Sequence, residues 1–190
     1  MMTQRQALEV LARERREQVV ITTMSAVAIW PLLSDSPLDF HYIPSAMGHG
    51  PDLGLGLALA QPKRGVIVIN GDGCMLMNLG CLATIADQRP QNYTLIVFNN
   101  GVYEVTGGQP VAGAGRVDFA AMARAAGIRQ VSHIRDISSW KGVAAQILRG
   151  PGLEFAVVDV EPITTGEVGP KAPCPIQEQL AQFTQALGAK

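Results

Sequence analysis

What the chain lacks narrows the field before any motif is read. It has no basic run beyond residues 13–16 and a formal net charge of −1, so it lacks the electrostatic footprint of a nucleic-acid binder. No apolar stretch reaches membrane-spanning length, because Asp, Pro, Lys or Asn interrupts each one. The opening MMTQRQALEVLARERREQ is amphipathic and polar and has no signal-peptide apolar core. Cys74, Cys81 and Cys174 are odd in number and have no metal-ligand spacing, so reduced thiols in a cytoplasmic protein are expected. Without CxxC, an iron–sulfur oxidoreductase subunit is disfavoured. No GxGxxG follows a strand, since Cys, Met and Leu come after Gly71-Asp72-Gly73, and a nucleotide-binding domain therefore ranks last. There is no internal repeat and no interdomain linker. With 190 residues, 47% of them hydrophobic, the expectation is one substantial core and one domain, 1–190.

The informative stretch is Gly65 to Gly108, GVIVINGDGCMLMNLGCLATIADQRPQNYTLIVFNNGVYEVTGG. Two short β-branched runs, the second Thr94–Phe98, flank a Leu/Met/Ala-rich segment, which reads as strand, helix, strand. The rest alternates in the same way. Helices are expected over Thr3–Gln18, Met24–Leu33, Leu53–Ala60, from Val117 to near Gly127, Asp136–Leu148 and Pro175–Leu187. Strands are expected over Val19–Thr23, Phe40–Ile43, Ile128–Ser132 and Phe155–Val160. The small residues Gly54, Gly56 and Ala58 suit close backbone approach. Gly107–Gly115 reads as a mobile loop, and Pro162–Pro175 has no periodicity and is free to wrap a neighbour. The fold class is therefore α/β, a single three-layer domain whose mostly parallel sheet carries helices on both faces.

Two polar clusters, Gly71-Asp72-Gly73 and Asn99-Asn100-Gly101, fall where strands finish, and that edge of a parallel sheet is where ligands bind. The N–H groups of Gly73, Cys74 and Met75 at a helix start suit a phosphate, whereas the Asp72 carboxylate would repel one. A hard cation resolves the conflict, because Mg²⁺ takes one or two protein oxygens together with substrate phosphates. Asn99 or Asn100 can add an amide oxygen and a loop carbonyl just beyond can add another.

GDG followed by NN, with Asp72 and Asn100 separated by 100 − 72 = 28 positions, resembles the thiamine diphosphate (ThDP) signature. The resemblance covers nearly the whole chain. SAMGHGPDLGLGLALAQPKRGVIVINGDGCMLMNLGCLATIA, the NNG-Y-x-x-TGGQ loop and VDFAAMARAAGI are similar to the diphosphate-binding domain of ThDP-dependent 2-oxoacid decarboxylases, nearest to the phosphonopyruvate and sulfopyruvate branch. It implies the ThDP-binding fold, ThDP and Mg²⁺ as cofactors, and Asp72, Asn100 and the Val102 carbonyl as metal ligands. It further implies decarboxylation of a small 2-oxoacid, releasing CO₂ and an aldehyde. In that family a Glu from a separate pyrimidine-binding domain activates the cofactor. The chain has no room for that domain, and Glu104, just past the metal loop, is placed on the wrong side of the cofactor. A β-type subunit is implied, its activating Glu supplied by a pyrimidine-binding α-type partner in a homodimer or α/β hetero-oligomer. The alternatives are an acetolactate synthase-like carboligase subunit and a non-catalytic ThDP-binding regulatory subunit.

Gly71, Asp72, Gly73, Cys74, Met47, Gly48, Asn100 and Tyr103 are the expected cofactor contacts. Met47 either props the bent cofactor or fills core. Met47 and Gly48 are expected to open a helix facing the site. His49 is the tentative catalytic residue, as a diphosphate contact or proton relay, against a structural role. His41 and His133 are read as non-catalytic, and Cys74 matters for its backbone rather than its thiol. Asn78 suits a diphosphate contact or a polar cap, Thr106 a loop that closes over the cofactor, and Arg116 and Lys141 an anionic substrate tail or solvated surface. Thr23 and Ser25 stand where the family contacts the pyrimidine. The branch commonly has Gly after the Thr pair where this chain has Met24, a departure that leaves the substrate class open.

Overall fold

Val19-Val20-Ile21-Thr22 is buried at every position, as a strand covered on both faces must be. In the computed structural model, which describes residues 1–41, 47–163 and 173–188, this segment (β2) belongs to a seven-stranded sheet. The other strands are Met2–Thr3 (β1), Asp39–His41 (β3), Val66–Gly71 (β4), Asn92–Asn99 (β5), Gln130–Ile134 (β8) and Gly152–Glu161 (β9). Every pairing is parallel. The order runs β9-β5-β4-β2-β3, and β8 and β1 share the other side of β9: β8 lies along Glu154–Val158 and β1 along Val160–Glu161. Val102–Tyr103 (β6) and Gln109–Pro110 (β7) form a separate antiparallel pair.

Period-two alternation sends neighbouring side chains into two cores. Ile67, Ile69, Ile96 and Phe98 join Leu8, Leu11 and Trp140 on one face. That layer comprises Gln4–Glu14 (α1), Ala26–Ile29 (α2) and Ile137–Arg149 (α7). Val66, Val68, Leu95 and Val97 meet Leu55, Leu82, Ile85 and Phe119 on the other. That layer comprises Gly50–Ala60 (α3), Asp72–Met77 (α4), Cys81–Gln88 (α5), Phe119–Ala125 (α6) and Ile176–Leu187 (α8). Each fully buried aliphatic side chain contributes roughly 1.5–3 kcal/mol.

The expected helices shorten where a specific contact ends them. α1 starts at a Thr3–Gln6 capping box but stops at Glu14, because Arg15 turns back to the Gln18 carbonyl and to Asp39, 3.1 Å away. The helix expected over 24–33 is α2 plus the 3₁₀ turn Trp30–Leu32. Met24 sits in left-handed backbone at φ 50°, and Pro31 removes a donor. The single helix expected between the central strands is two, α4 and α5, parted at Asn78. The Asn78 amide leaves the helix to donate to the Gly48 carbonyl and to Asp52. The Gly107–Gly115 stretch begins as the β6–β7 hairpin instead of a free loop. Met2–Thr3 was too short to show as a strand. Tyr42 to Ala46 and residues 164–172 lie outside the described residues, and with them the end of the expected Phe40–Ile43 strand and much of Pro162–Pro175.

Helix α8 covers the edge strand β3. Gln179 accepts from the His41 N–H and donates to the His41 carbonyl, and Phe183 packs on Phe40 with ring centroids 5.1 Å apart. An edge dressed in this way is closed to a further strand. His41 is buried, its Nδ1 3.0 Å from the Thr22 hydroxyl, and burial holds its pKa down to about 4.

Two outcomes follow. Between the ordinary value of 6.5 and about 4 the unfolded chain binds the His41 proton and the folded chain does not, so acidification costs stability across that window. Relative to a His41→Gln variant, the wild type should lose up to about 3 kcal/mol as pH falls from 7 to 4. The comparison removes the opposite trend of Asp39 and Glu154, whose carboxyls burial pushes up. Urea unfolding across pH measures it, and a pH-independent difference would show that His41 does not stay neutral. On α3, a Cβ at Gly54 would lie 2.2 Å from Val68 Cγ2 and 2.9 Å from Tyr93 Cε2, whereas one at Gly56 meets nothing within 4 Å. Of these two, only Gly54 therefore serves close approach. Gly54→Ala should cost about 1–3 kcal/mol, and Gly56→Ala should gain about 0.5–1 kcal/mol.

Candidate functional site

The register Gly71↔Phe98 brings the C-terminal ends of β4 and β5 side by side, which puts Asp72 next to the Asn99-Asn100-Gly101 turn. Asp72 is 3% exposed. Its Oδ1 accepts from the Gly73 N–H at 2.7 Å and its Oδ2 from the Gly101 N–H at 2.7 Å. Burial pushes its carboxyl above the usual carboxylate range, the N–H groups of Gly101, Gly73 and Asn100 hold it back, and the Glu104 charge adds to the rise. Asn100 Oδ1 accepts from the Val102 N–H at 2.9 Å, which closes a tight turn over the end of β5. Asn99 faces elsewhere, donating to Asp159 at 2.8 Å.

These groups line a cavity of about 220 Å³ at the C-terminal edge of the sheet. Gly71, Asp72, Gly73, Cys74, Asn100, Val102 and Tyr103 share it with Met47, Thr23, Ser25 and Thr106. A Cβ at Gly71 would meet nothing within 4 Å, whereas one at Gly73 would come 2.4 Å from Tyr103 Cε1, so the tyrosine ring lies directly on the start of α4. Met47 is 43% exposed, so it stands in the cavity rather than filling core. Helix α3 begins at Gly50, and Met47–Gly48 form the turn before it rather than its opening. The Cys74 thiol is pushed up by burial, which disfavours the reactive thiolate.

Other candidates fall outside the cavity. His49 stands at the start of α3 without a side-chain capping bond and points to Asp52, 2.9 Å away. Asn78 braces Gly48 and Asp52. His41 is in the core, and His133 pairs with Asp159 at 3.0 Å. Neither Arg116 nor Lys141 is among the lining residues. A larger depression of about 700 Å³ lies at the opposite edge of the sheet, beside Arg16, Lys63, Arg64 and Arg149. It holds none of Asp72, Asn100 and Val102, so chemistry and not volume selects the smaller cavity.

Gln4 and Met77 line the cavity without having been expected there, and Met24 and Glu104, each next to an expected contact, line it too. Met24 takes the backbone conformation that suits glycine, at an energetic cost of roughly 1–2 kcal/mol. Glu104 stands just past the metal loop, and its partners, Gln4, Ser25 and Ile163, are distant in sequence. No local pattern could have announced those partners.

A family profile described as thiamine pyrophosphate enzyme, C-terminal TPP binding domain, matches residues 21–160. The chain belongs to the thiamine pyrophosphate enzyme family. Within that family, a phosphonopyruvate decarboxylase of Streptomyces viridochromogenes is 37% identical over 158 residues, 82% of this chain and 39% of the relative. The sulfopyruvate decarboxylase subunit beta of Methanothermobacter thermautotrophicus is 38% identical over 130 residues, 68% of this chain and 66% of the relative. A sulfopyruvate decarboxylase of Methanosarcina acetivorans is 31% identical across the whole chain, which spans 48% of it. The chain thus covers less than two thirds of each relative. Benzoylformate decarboxylase from Polynucleobacter necessarius shares the fold, with a TM-score of 0.71 at 19% identity over 85% of this chain and 34% of that one. So does 2-oxoglutarate:ferredoxin oxidoreductase from Magnetococcus marinus, at 0.70 and 13% over 97% and 84%.

The donor set fits the family's cofactor. One carboxylate, one amide oxygen and one carbonyl are hard ligands in too small a number for an all-protein cage, as Mg²⁺ shared with phosphates requires. Among the described residues, no group of three or more His, Cys, Asp or Glu is placed to hold a metal otherwise.

Gly48, expected as a cofactor contact, is not among the lining residues, and lies in a constrained turn before α3 beside the lining residue Met47. Gly48 has φ +88°, and a Cβ there would lie 2.9 Å from Asn78 Cβ and 3.2 Å from the Cys74 carbonyl. Gly48→Ala should cost about 1–3 kcal/mol in chemical unfolding, whereas Gly71→Ala, with open space around it, should cost under about 1 kcal/mol.

Proposed function

We propose that this chain, as one domain over residues 1–190, is the diphosphate-binding β-type subunit of a cytoplasmic ThDP- and Mg²⁺-dependent decarboxylase. Its substrate is a small 2-oxoacid of the phosphonopyruvate or sulfopyruvate kind, and its products are CO₂ and an aldehyde. The observation that carries the reading is the convergence of Asp72 and Asn100 on one cavity at the ends of adjacent parallel strands. Its likeness to decarboxylases at 37% and 38% identity supports the substrate class. Among the described residues no helix is long and apolar enough to cross a membrane.

On this reading Asp72, Asn100 and the Val102 carbonyl hold the metal, while Gly71, Gly73 and Cys74 present backbone to the diphosphate. Gly48 fixes the turn that carries Met47, and Met47 and Tyr103 bracket the cofactor. The bound cofactor supplies the carbanion-stabilising thiazolium chemistry. The protein residues orient it and exclude water. Burial of Asp72 among N–H groups favours a cation beside it, since a divalent ion offsets the cost of a charged carboxylate there.

A partner completes the site. The cavity of about 220 Å³ is smaller than the roughly 300–1,000 Å³ of an enclosing ligand pocket. Met47, Met77 and Val105 on its wall are 43%, 50% and 65% exposed, an apolar rim that an α-type, pyrimidine-binding subunit carrying the activating Glu would cover. One related protein is itself named subunit beta.

Calorimetric titration of ThDP into the chain with its partner should show Mg²⁺-dependent binding that Asp72→Ala removes. The two-subunit complex should release CO₂ from phosphonopyruvate or sulfopyruvate, and the isolated chain should not. Turnover by the purified chain alone near the ordinary enzyme rate of about 10 s⁻¹ would disprove the need for a partner.

A further inference from the structure

The Glu104 carboxylate is full. Gln4 Nε2 lies 2.9 Å from both of its oxygens, the Ile163 N–H is 2.5 Å from Oε1, and the Ser25 hydroxyl donates to Oε2. A carboxylate offers about four lone-pair sites, and these contacts occupy them all. The donors come from three separate stretches: the first residue of α1, the residue before α2 and the segment after β9. Gln4 is 3% exposed, so its amide relies on this carboxylate. Ser25 precedes α2 without capping it; its hydroxyl serves Glu104 instead.

Glu104 is two positions from Val102 and next to Tyr103, whose ring rests on Gly73. It opens the 3₁₀ turn Glu104–Thr106 that lies between the two strands of the β6–β7 hairpin. A carboxylate committed to donors from three separate stretches ties those stretches together and acts as a strut.

We propose that Glu104 is a positioning residue. It pins residues 101–106, and with them the Val102 carbonyl and the Tyr103 ring, against α1, Ser25 and Ile163, so that the metal side of the cavity is formed before any ligand arrives. The consequence for affinity rests on the ThDP reading above; the pinning itself does not. Preorganisation strengthens binding by removing the ordering cost from the binding step.

Two measurements on the full chain test this separately. Amide hydrogen exchange without cofactor should show residues 101–106 and 163 exchanging at least tenfold faster in Glu104→Gln. The strand amides of 66–71 and 92–99 should be unchanged. Gln keeps the size but offers one oxygen and brings N–H groups against the donors. Unchanged exchange at 101–106 overturns the proposal. If Glu104→Gln does not fold, Ser25→Ala, which removes one donor only, carries the same test at the same amides. Second, with the partner present, Glu104→Gln should weaken Mg²⁺-dependent ThDP binding at least tenfold. Equal binding by variant and wild type overturns the positioning role. Absence of ThDP binding by the wild type instead overturns the cofactor reading, and the exchange result still judges the strut.

Discussion

The Asp72 carboxylate, buried at the end of β4 and held between the N–H groups of Gly73 and Gly101, is the constraint around which the remaining structure is arranged. A buried charge without partners is costly. Here the partners come from two strand ends, and they can do so only because β4 and β5 are parallel neighbours in fixed register. The sheet delivers the two polar turns to one edge, and the two helix layers hold the sheet by covering both of its faces.

Around that carboxylate the wall is built by reaching across the chain. Tyr103 lies on the Gly73 backbone, Asn78 leaves its helix to hold Gly48 and Asp52, and Glu104 gathers Gln4, Ser25 and Ile163. The hydrogen bonds nearest the cavity therefore bind wall segments to one another and leave the cavity's mouth apolar and open.

Most of the architecture was legible because it is written locally. Runs such as Val19–Ile21 and Ile67–Ile69 declare strands by composition, and Asp136 declares the start of α7; α6 starts two residues after the expected Val117 because Asp118 caps it. Expectations failed where a distant contact overrode the local pattern. Arg15 left α1 for Asp39, Asn78 split the central helix, and Gly56, on the same helix as Gly54, proved to face open space. His49 looked available for chemistry but was taken by Asp52, its neighbour one helical turn on.

Amino-acid order alone determined the alternating α/β plan, the 28-residue spacing of Asp72 and Asn100 and, through that spacing, the family. These follow from short-range rules: side-chain shape selects strand or helix, and parallel pairing then places strand ends together. Only the tertiary structure decided which groups Glu104 gathers, that Met47 stands in the cavity and that Arg116 and Lys141 do not. The hydrogen bonds of Glu104 span 100, 79 and 59 residues. Contacts at such separations arise from packing and leave no periodicity in the sequence.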